Sequence, residues 1–428
     1  MGEDDRQGGK RKLHPESLMM SHGYDATLSQ GSVKPPIFQT STFSYPSAEE
    51  GRSFFDVAAG REPGTADVDG GLIYTRYNNP NMQIAEERLS LFEDAERCAV
   101  FSSGMAAIAT CVLAHCRPGD TIVYSRPIYG GTDAFLNKFL TEFGITSVPI
   151  ANTGSASALH EAAAKARSMG RLAMFLLETP SNPLARLTDI AGARDAAVES
   201  AGISQHRPIV AIDNTLLGPV FQQPLRHGAD ISIYSLTKYV GGHSDLIAGA
   251  AMGSAEAMGP VRALRPLLGG SLDPHTCSLL LRSMETLTMR MSKAAENATA
   301  IAAWLQRHPD VGDVFFPGMA AEGSCQRGLY ETQCSGPGAL MSFDLGSREA
   351  AFGFLDALRL ARQAVSLGGT ETLCCHPATT VLSGLTPEER SELGVSDGLI
   401  RLSVGCEHVD DLIDDLDQAL NKVMHSKN

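Results

Sequence analysis

A lysine stands just past a four-residue apolar run in Asp230–Asp245, DISIYSLTKYVGGHSD. Ile231–Tyr234 reads as a buried strand; Ser235, Thr237 and Lys238 follow it, then Gly241–Gly242. In open α/β sheets ligands sit at the carboxyl ends of strands. An ammonium held there is costly unless it is paired or changes state. One change of state is an imine, since lysine forms Schiff bases with carbonyl compounds, including pyridoxal phosphate. The small hydroxyl residues before Lys238 are suitable phosphate donors. Alone, the same lysine reads as a surface residue on a turn.

Five further groups bear on that choice. Ser102-Ser103-Gly104-Met105 joins a short strand to a helix. A helix N-terminus with small residues can receive an anion, or can be an ordinary capped turn. Asp213 follows the apolar strand Ile209–Ile212. A carboxylate there can hold a protonated pyridine nitrogen, and equally can make an Asx turn. Tyr129, in PIYGG, can lie flat on a ring because the glycines allow close approach, or can be a partly buried core residue. Arg76, in YTRYNNP, could reach an anion or be a solvated charge. Arg401 interrupts the apolar strand Leu399–Leu402. Its natural partner is a bidentate carboxylate, from a substrate or from the protein itself. Together these residues supply an imine, a ring-nitrogen partner, a phosphate cradle, an aromatic cover and a carboxylate clamp. An enzyme handling amino acids through pyridoxal phosphate requires that set.

The elements that must position them alternate. Strands are expected at Arg97–Phe101, Thr121–Tyr124, Leu172–Leu177, Ile209–Ile212, Ile231–Tyr234 and Leu246–Ala251, with helices at Met82–Phe92, Met105–Cys116 and Asp189–Ala201. Such alternation predicts a mainly parallel sheet covered by helices. Beyond about residue 270 the pattern changes to one long helix, His275–Leu305, then strands at Gly338–Leu345, Arg362–Leu367 and Leu399–Val404. Helices at Ser347–Leu358 and Val409–Met424 intervene, which predicts a separate α+β domain.

Composition narrows the function classes. The 428 residues are 43% hydrophobic and 20% charged, ordinary for a globular protein. A net charge of −14 speaks against nucleic acid or an acidic membrane surface as a partner. No apolar run reaches membrane-spanning length. Nine cysteines without a C-x-x-C read as buried reduced thiols, with neither a disulfide frame nor a metal site. The polar start, MGEDDRQGGKRK, predicts a flexible tail to about residue 15, and the chain is expected to be cytoplasmic.

From about Tyr24 onward the chain resembles the pyridoxal-phosphate-dependent Cys/Met metabolism (transsulfuration) family. The matching segments are YTRYNNP, FSSGMAAI, PIYGGT, ETPSNP, AIDNT, YSLTKYVGGHSD, VSLGGTETLCCHPA and LIRLSVGCE, in that order. The resemblance implies fold type I of the pyridoxal-phosphate enzymes and a homotetramer of two close dimers with shared sites. It divides the chain into an arm (1–72) packing on a neighbouring subunit, a cofactor-binding α/β domain (73–270) and a C-terminal α+β domain (271–428). Residue by residue it implies that Lys238 carries the imine and moves protons, Asp213 pairs with the ring nitrogen, and Tyr129 stacks on the ring. Gly104, Met105, Ser235 and Thr237 would hold the phosphate. Tyr74 and Arg76 would reach the neighbouring subunit's phosphate, Asn182 would lie beside the cofactor, and Ser366 and Arg401 would surround the substrate carboxylate.

Two positions bear on the substrate. Methionine γ-lyases usually carry cysteine two residues after the stacking tyrosine, where this chain has Gly131. Cystathionine γ-lyases usually carry glutamate just before the serine of the S-L-G-G segment, where this chain has Val365. The implied reaction is γ-elimination from a sulfur amino acid: cystathionine, giving cysteine, 2-oxobutanoate and ammonia, or methionine. The alternative is γ-replacement on an O-acylhomoserine. A catalytically inactive scaffold is the remote third, against which the intact Lys238, Asp213 and Tyr129 stand. The segment Arg61–Gly71 is expected to be a loop that shapes the approach to Tyr74.

Overall fold

Seven strands, β1 (Arg97–Phe101), β2 (Asp120–Ser125), β3 (Thr146–Ile150), β4 (Arg171–Glu178), β5 (Ile209–Asp213), β6 (Ile231–Tyr234) and β7 (Gly249–Gly253), form one sheet in the order β1-β7-β6-β5-β4-β2-β3. The computed structural model describes residues 13–58, 60–61, 71–202 and 206–424. The expected tail up to residue 12, and residues 62–70 of the expected loop, lie outside them.

Strands β2 to β6 pair in parallel, while β7 runs antiparallel to both β6 and β1. Two reversals leave β1 pointing the same way as β6. The chain after β1, β2, β4, β5 and β6 therefore emerges along one edge of the sheet. Near-continuous apolar runs make these strands, because helices cover both faces. The helices Gly104–His115 and Ala255–Leu268 contribute to the buried cluster on one face, and Ala156–Met169 and Ile190–Ala201 to that on the other.

A second sheet takes its strands from the C-terminal part: β8 (Val314–Phe315), β9 (Leu340–Asp344), β10 (Arg362–Gln363), β11 (Leu373–Cys375) and β12 (Leu399–Ser403), in the order β10-β11-β12-β9-β8. On β12, Ile400 and Leu402 join a buried cluster that also holds Met82, Leu236 and Ala250. Arg401 and Ser403 alternate to the opposite face. One continuous core thus fixes the second sheet against the first.

The structure departs from the sequence pattern where tertiary contacts decide. The expected helix His275–Leu305 is two helices, Pro274–Met284 and Leu287–Leu305, separated at Glu285–Thr286. The expected strand Arg362–Leu367 stops at Gln363, after which Ser366 and Gly368 take positive φ of 83° and 76°. Strand β7 begins at Gly249, three residues later than the apolar run suggests. The helix Ala255–Leu268 contains Pro260 and Pro266, and prolines conceal a helical pattern in the sequence. Six of the nine cysteines are buried, whereas Cys325 is exposed and Cys334 and Cys406 are intermediate. No described helix is long and apolar enough to cross a membrane.

Candidate active site

Lys238 lies in the turn after β6, and its Nζ donates to Ser366 Oγ at 2.9 Å. Ser366 belongs to the other sheet's loop, and its left-handed backbone (φ 83°) carries a strain of about 1–3 kcal/mol. That conformation aims two groups at once. Ser366 Oγ meets the amine, while its carbonyl accepts from Arg401 Nη2 at 2.7 Å. Arg401 Nη1 in turn donates to Asn182 Oδ1 at 3.3 Å. An amine, a hydroxyl, a guanidinium and an amide from four distant segments are thereby connected. Burial lowers the Lys238 pKa, and the Arg401 charge lowers it further. A buried amine depressed in this way is readily deprotonated, and the neutral form is the nucleophile and base. Arg401 is 2% exposed, and among the described residues its hydrogen bonds go to neutral acceptors, so an anion is a fitting partner for its charge.

Asp213 closes β5, and its Oδ1 accepts from Thr215 N (3.1 Å) and Thr215 Oγ1 (2.6 Å). Thr215 Oγ1 also accepts from Ser235 N at 2.8 Å, which links the Asp213 turn to the Lys238 turn. Glu178 closes β4 directly beside Asp213 in register. A carboxylate ending the apolar run LAMFLL carries the same sequence signal as Asp213, which the motif reading above misses. Glu178 Oε2 accepts from Tyr129 N at 2.8 Å and Oε1 from Asn182 N at 2.9 Å. Burial, then the Asp213 charge, raise the Glu178 pKa to about 8; burial likewise raises Asp213. Two adjacent buried carboxyls with no cation beside them among the described residues favour a positively charged guest.

The strand end before the helix Gly104–His115 has the form of an anion cradle. Ser103 Oγ caps the helix by accepting from Ala106 N at 3.0 Å, so Ser103 is occupied locally. The first-turn N–H groups of Gly104 and Met105 have no partner within the helix. A Cβ on Gly104 would stand 2.9 Å from Ser235 Cβ, so glycine is what lets the Ser235 hydroxyl approach the helix end. Thr237 Oγ1 lies close by in sequence and bonds to Ala248 O (3.1 Å) and Ala248 N (3.0 Å). Tyr129, half exposed, leads the short helix Gly130–Ala134. A Cβ on Gly131 would lie 2.6 Å from the Tyr129 ring and 3.2 Å from Met105 Sδ, so a side chain at 131 would have to displace the Tyr129 ring.

Phosphate at the helix end, a cationic ring nitrogen at Asp213, and an amine at Lys238 for a carbonyl carbon describe pyridoxal phosphate, and the residues present fit it. Tyr74 and Arg76 are not brought into this cluster within one chain. Arg76 donates to Pro266 O at 2.7 Å and lies 4.8 Å from the Tyr77 ring centroid and 5.9 Å from that of Tyr74. Val365 is 55% exposed and borders a cavity of about 350 Å³ shared with Phe352, Asp356 and Gln363.

The model of the Cys/Met metabolism PLP-dependent enzymes matches residues 16–421. The chain belongs to this family. It is a pyridoxal-phosphate enzyme of fold type I, a carbon–sulfur lyase or transferase of the transsulfuration group. It is 39% identical to an L-methionine γ-lyase of Pseudomonas deceptionensis over 404 residues, 93% of this chain and 95% of that one. It is 36% identical to a cystathionine γ-lyase of Bacillus subtilis over 412 residues, 96% of this chain and 100% of that one. Among solved structures, a cystathionine γ-synthase of Xanthomonas oryzae pv. oryzae in complex with aminoacrylate and cysteine superposes with a TM-score of 0.85 at 33% identity. That likeness covers 97% of this chain and 100% of the other.

Proposed function

We propose that this transsulfuration-family enzyme catalyses γ-elimination on a sulfur amino acid, with an uncharged distal end as in methionine preferred to cystathionine. The observation that carries the reading is the connected set Lys238–Ser366–Arg401–Asn182, which places a depressed-pKa amine one residue away from a buried guanidinium held by neutral acceptors. An α-amino acid bound by its carboxylate at Arg401 presents its Cα hydrogen toward Lys238 Nζ. Pyridoxal phosphate, when bound, supplies a carbonyl for the substrate amine and a ring that takes up the electrons released at Cα.

The chain's own groups do the rest. Arg401 and Ser366 hold the substrate carboxylate. Lys238 Nζ, whose burial favours the uncharged amine, removes the proton from Cα. Asp213 would pair with the ring nitrogen, and Tyr129 would cover the ring. Gly104, Met105, Ser235 and Thr237 bind phosphate, with Asn182 beside the ring. Val365 offers the distal end an apolar surface without a charge for a second ammonium. With methionine and water the products are methanethiol, 2-oxobutanoate and ammonia. We further propose a homotetramer in which Tyr74 and Arg76 complete a neighbour's phosphate site, with residues preceding about 72 acting as an arm, and a cytoplasmic location.

The test is a product assay of the loaded enzyme with methionine, cystathionine, and an O-acylhomoserine plus a thiol. Release of 2-oxobutanoate from methionine, faster than from cystathionine, is the expected result. Product formed only from the O-acylhomoserine with the thiol would replace elimination by γ-replacement.

A further inference from the structure

We propose that Glu178 is a positioning residue that ties two walls of the site together: the turn bearing Tyr129 and the turn bearing Asn182. The proposal rests on the cofactor contacts assigned above to those two residues.

Its geometry is that of a clamp. Tyr129 follows β2 and Asn182 follows β4, so neither N–H belongs to a strand ladder that could hold it. Each instead donates to a different oxygen of one carboxyl, at 2.8 and 2.9 Å. The clamp is itself anchored, because Glu178 N donates to Ser125 Oγ, the last residue of β2, at 2.9 Å. Glu178 is 4% exposed, and among the described residues no lysine or arginine pairs with it. A carboxyl so deeply placed without a cation is costly, and the two N–H bonds offset part of that cost.

The connection does not stop at Asn182. Its Oδ1 receives Arg401 Nη1, so a path of hydrogen bonds runs from the aromatic cover at Tyr129, through Glu178 and Asn182, to the guanidinium. Loosening Glu178 would therefore displace the ring's cover and the carboxylate clamp together. Burial, then the Asp213 charge, raise the Glu178 pKa, while the two N–H bonds pull it back down, so the clamp works to hold the carboxylate against its surroundings.

Glu178→Gln separates this role from simple support of the fold. The amide has one acceptor oxygen, and its NH2 cannot receive an N–H, so one of the two bonds is lost. Equilibrium dialysis of the variant against pyridoxal phosphate should show affinity about tenfold or more weaker than wild type. The induced circular dichroism of the bound cofactor should shrink, because Tyr129 no longer holds one position over the ring. A residue that only supports the fold would lower the unfolding temperature and leave affinity and induced dichroism of the folded protein unchanged; that result overturns the proposal. If the variant does not fold, hydrogen exchange of the wild-type apoprotein, resolved to single amides, decides. The Tyr129 and Asn182 amides should exchange slowly, and exchange at the rate of an unprotected loop would overturn the clamp. Wild-type uptake of pyridoxal phosphate in the same dialysis reports on the site itself, so a wrong site and a wrong role for Glu178 give different patterns.

Discussion

Val365→Glu should raise kcat/KM for cystathionine relative to methionine, and the structure sets how far. A charge-assisted hydrogen bond in a closed site contributes about 1.5–3 kcal/mol. Val365, however, is 55% exposed, on the rim of a cavity. Solvent-exposed ion pairs contribute about 0.2–1 kcal/mol, which corresponds to a gain of roughly 1.4- to fivefold. Asp356 shares the cavity, and its negative charge would oppose ionisation of a new glutamate, so the comparison belongs near pH 8. The assay is the ratio of the two kcat/KM values for variant and wild type, because the ratio cancels general damage. It should be run at low and high salt, since a screened pair loses its advantage as the Debye length shortens. A ratio up to about fivefold higher at low salt and reduced at high salt is expected. An unchanged or lowered ratio at low salt would refute the placement of Val365 at the substrate's distal end.

Lys238→Ala should abolish turnover and the violet-edge absorbance of the loaded enzyme while the unfolding transition stays close to that of wild type; retained absorbance with full activity would remove Lys238 from its role. Arg76→Ala and Lys238→Ala, each inactive, should regain some activity when their subunits are mixed, because one hybrid site would be intact. Exchange demonstrated independently, with no recovery, would argue against a shared site. The raised Glu178 pKa gives a pH-dependent sign. Between its unfolded value of 4.5 and about 8 the folded chain keeps a proton that the unfolded chain has lost, so this group makes stability fall as pH rises through that window. Glu178→Gln removes the effect, so the apoenzyme variant should gain stability relative to wild type between pH 5 and pH 8. Urea midpoints at both pH values measure it, and a relative loss would contradict the raised pKa.

By itself the sequence determined the elements whose pattern is local. Apolar runs of strand length marked β1, β2, β4, β5 and β6 to within a residue or two, because strands buried on both faces need unbroken apolar sequence. Asp213, directly after such a run, and Lys238, in the turn that follows another, stood out for the same reason: a charged group at the end of a buried strand is conspicuous before any contact is known. Tertiary structure decided what depends on distant partners. The antiparallel insertion of β7, the two helices in place of His275–Leu305 and the early end of β10 follow from packing, which no local period encodes. The left-handed Ser366, unusual for a residue with a Cβ, persists because Lys238 and Arg401 hold its two oxygens from separate segments. Glu178 carried the same strand-end signal as Asp213. Its part became visible only when the fold set the N–H groups of Tyr129 and Asn182 on its two oxygens, since the bond from Tyr129, 49 residues away, leaves no trace in spacing.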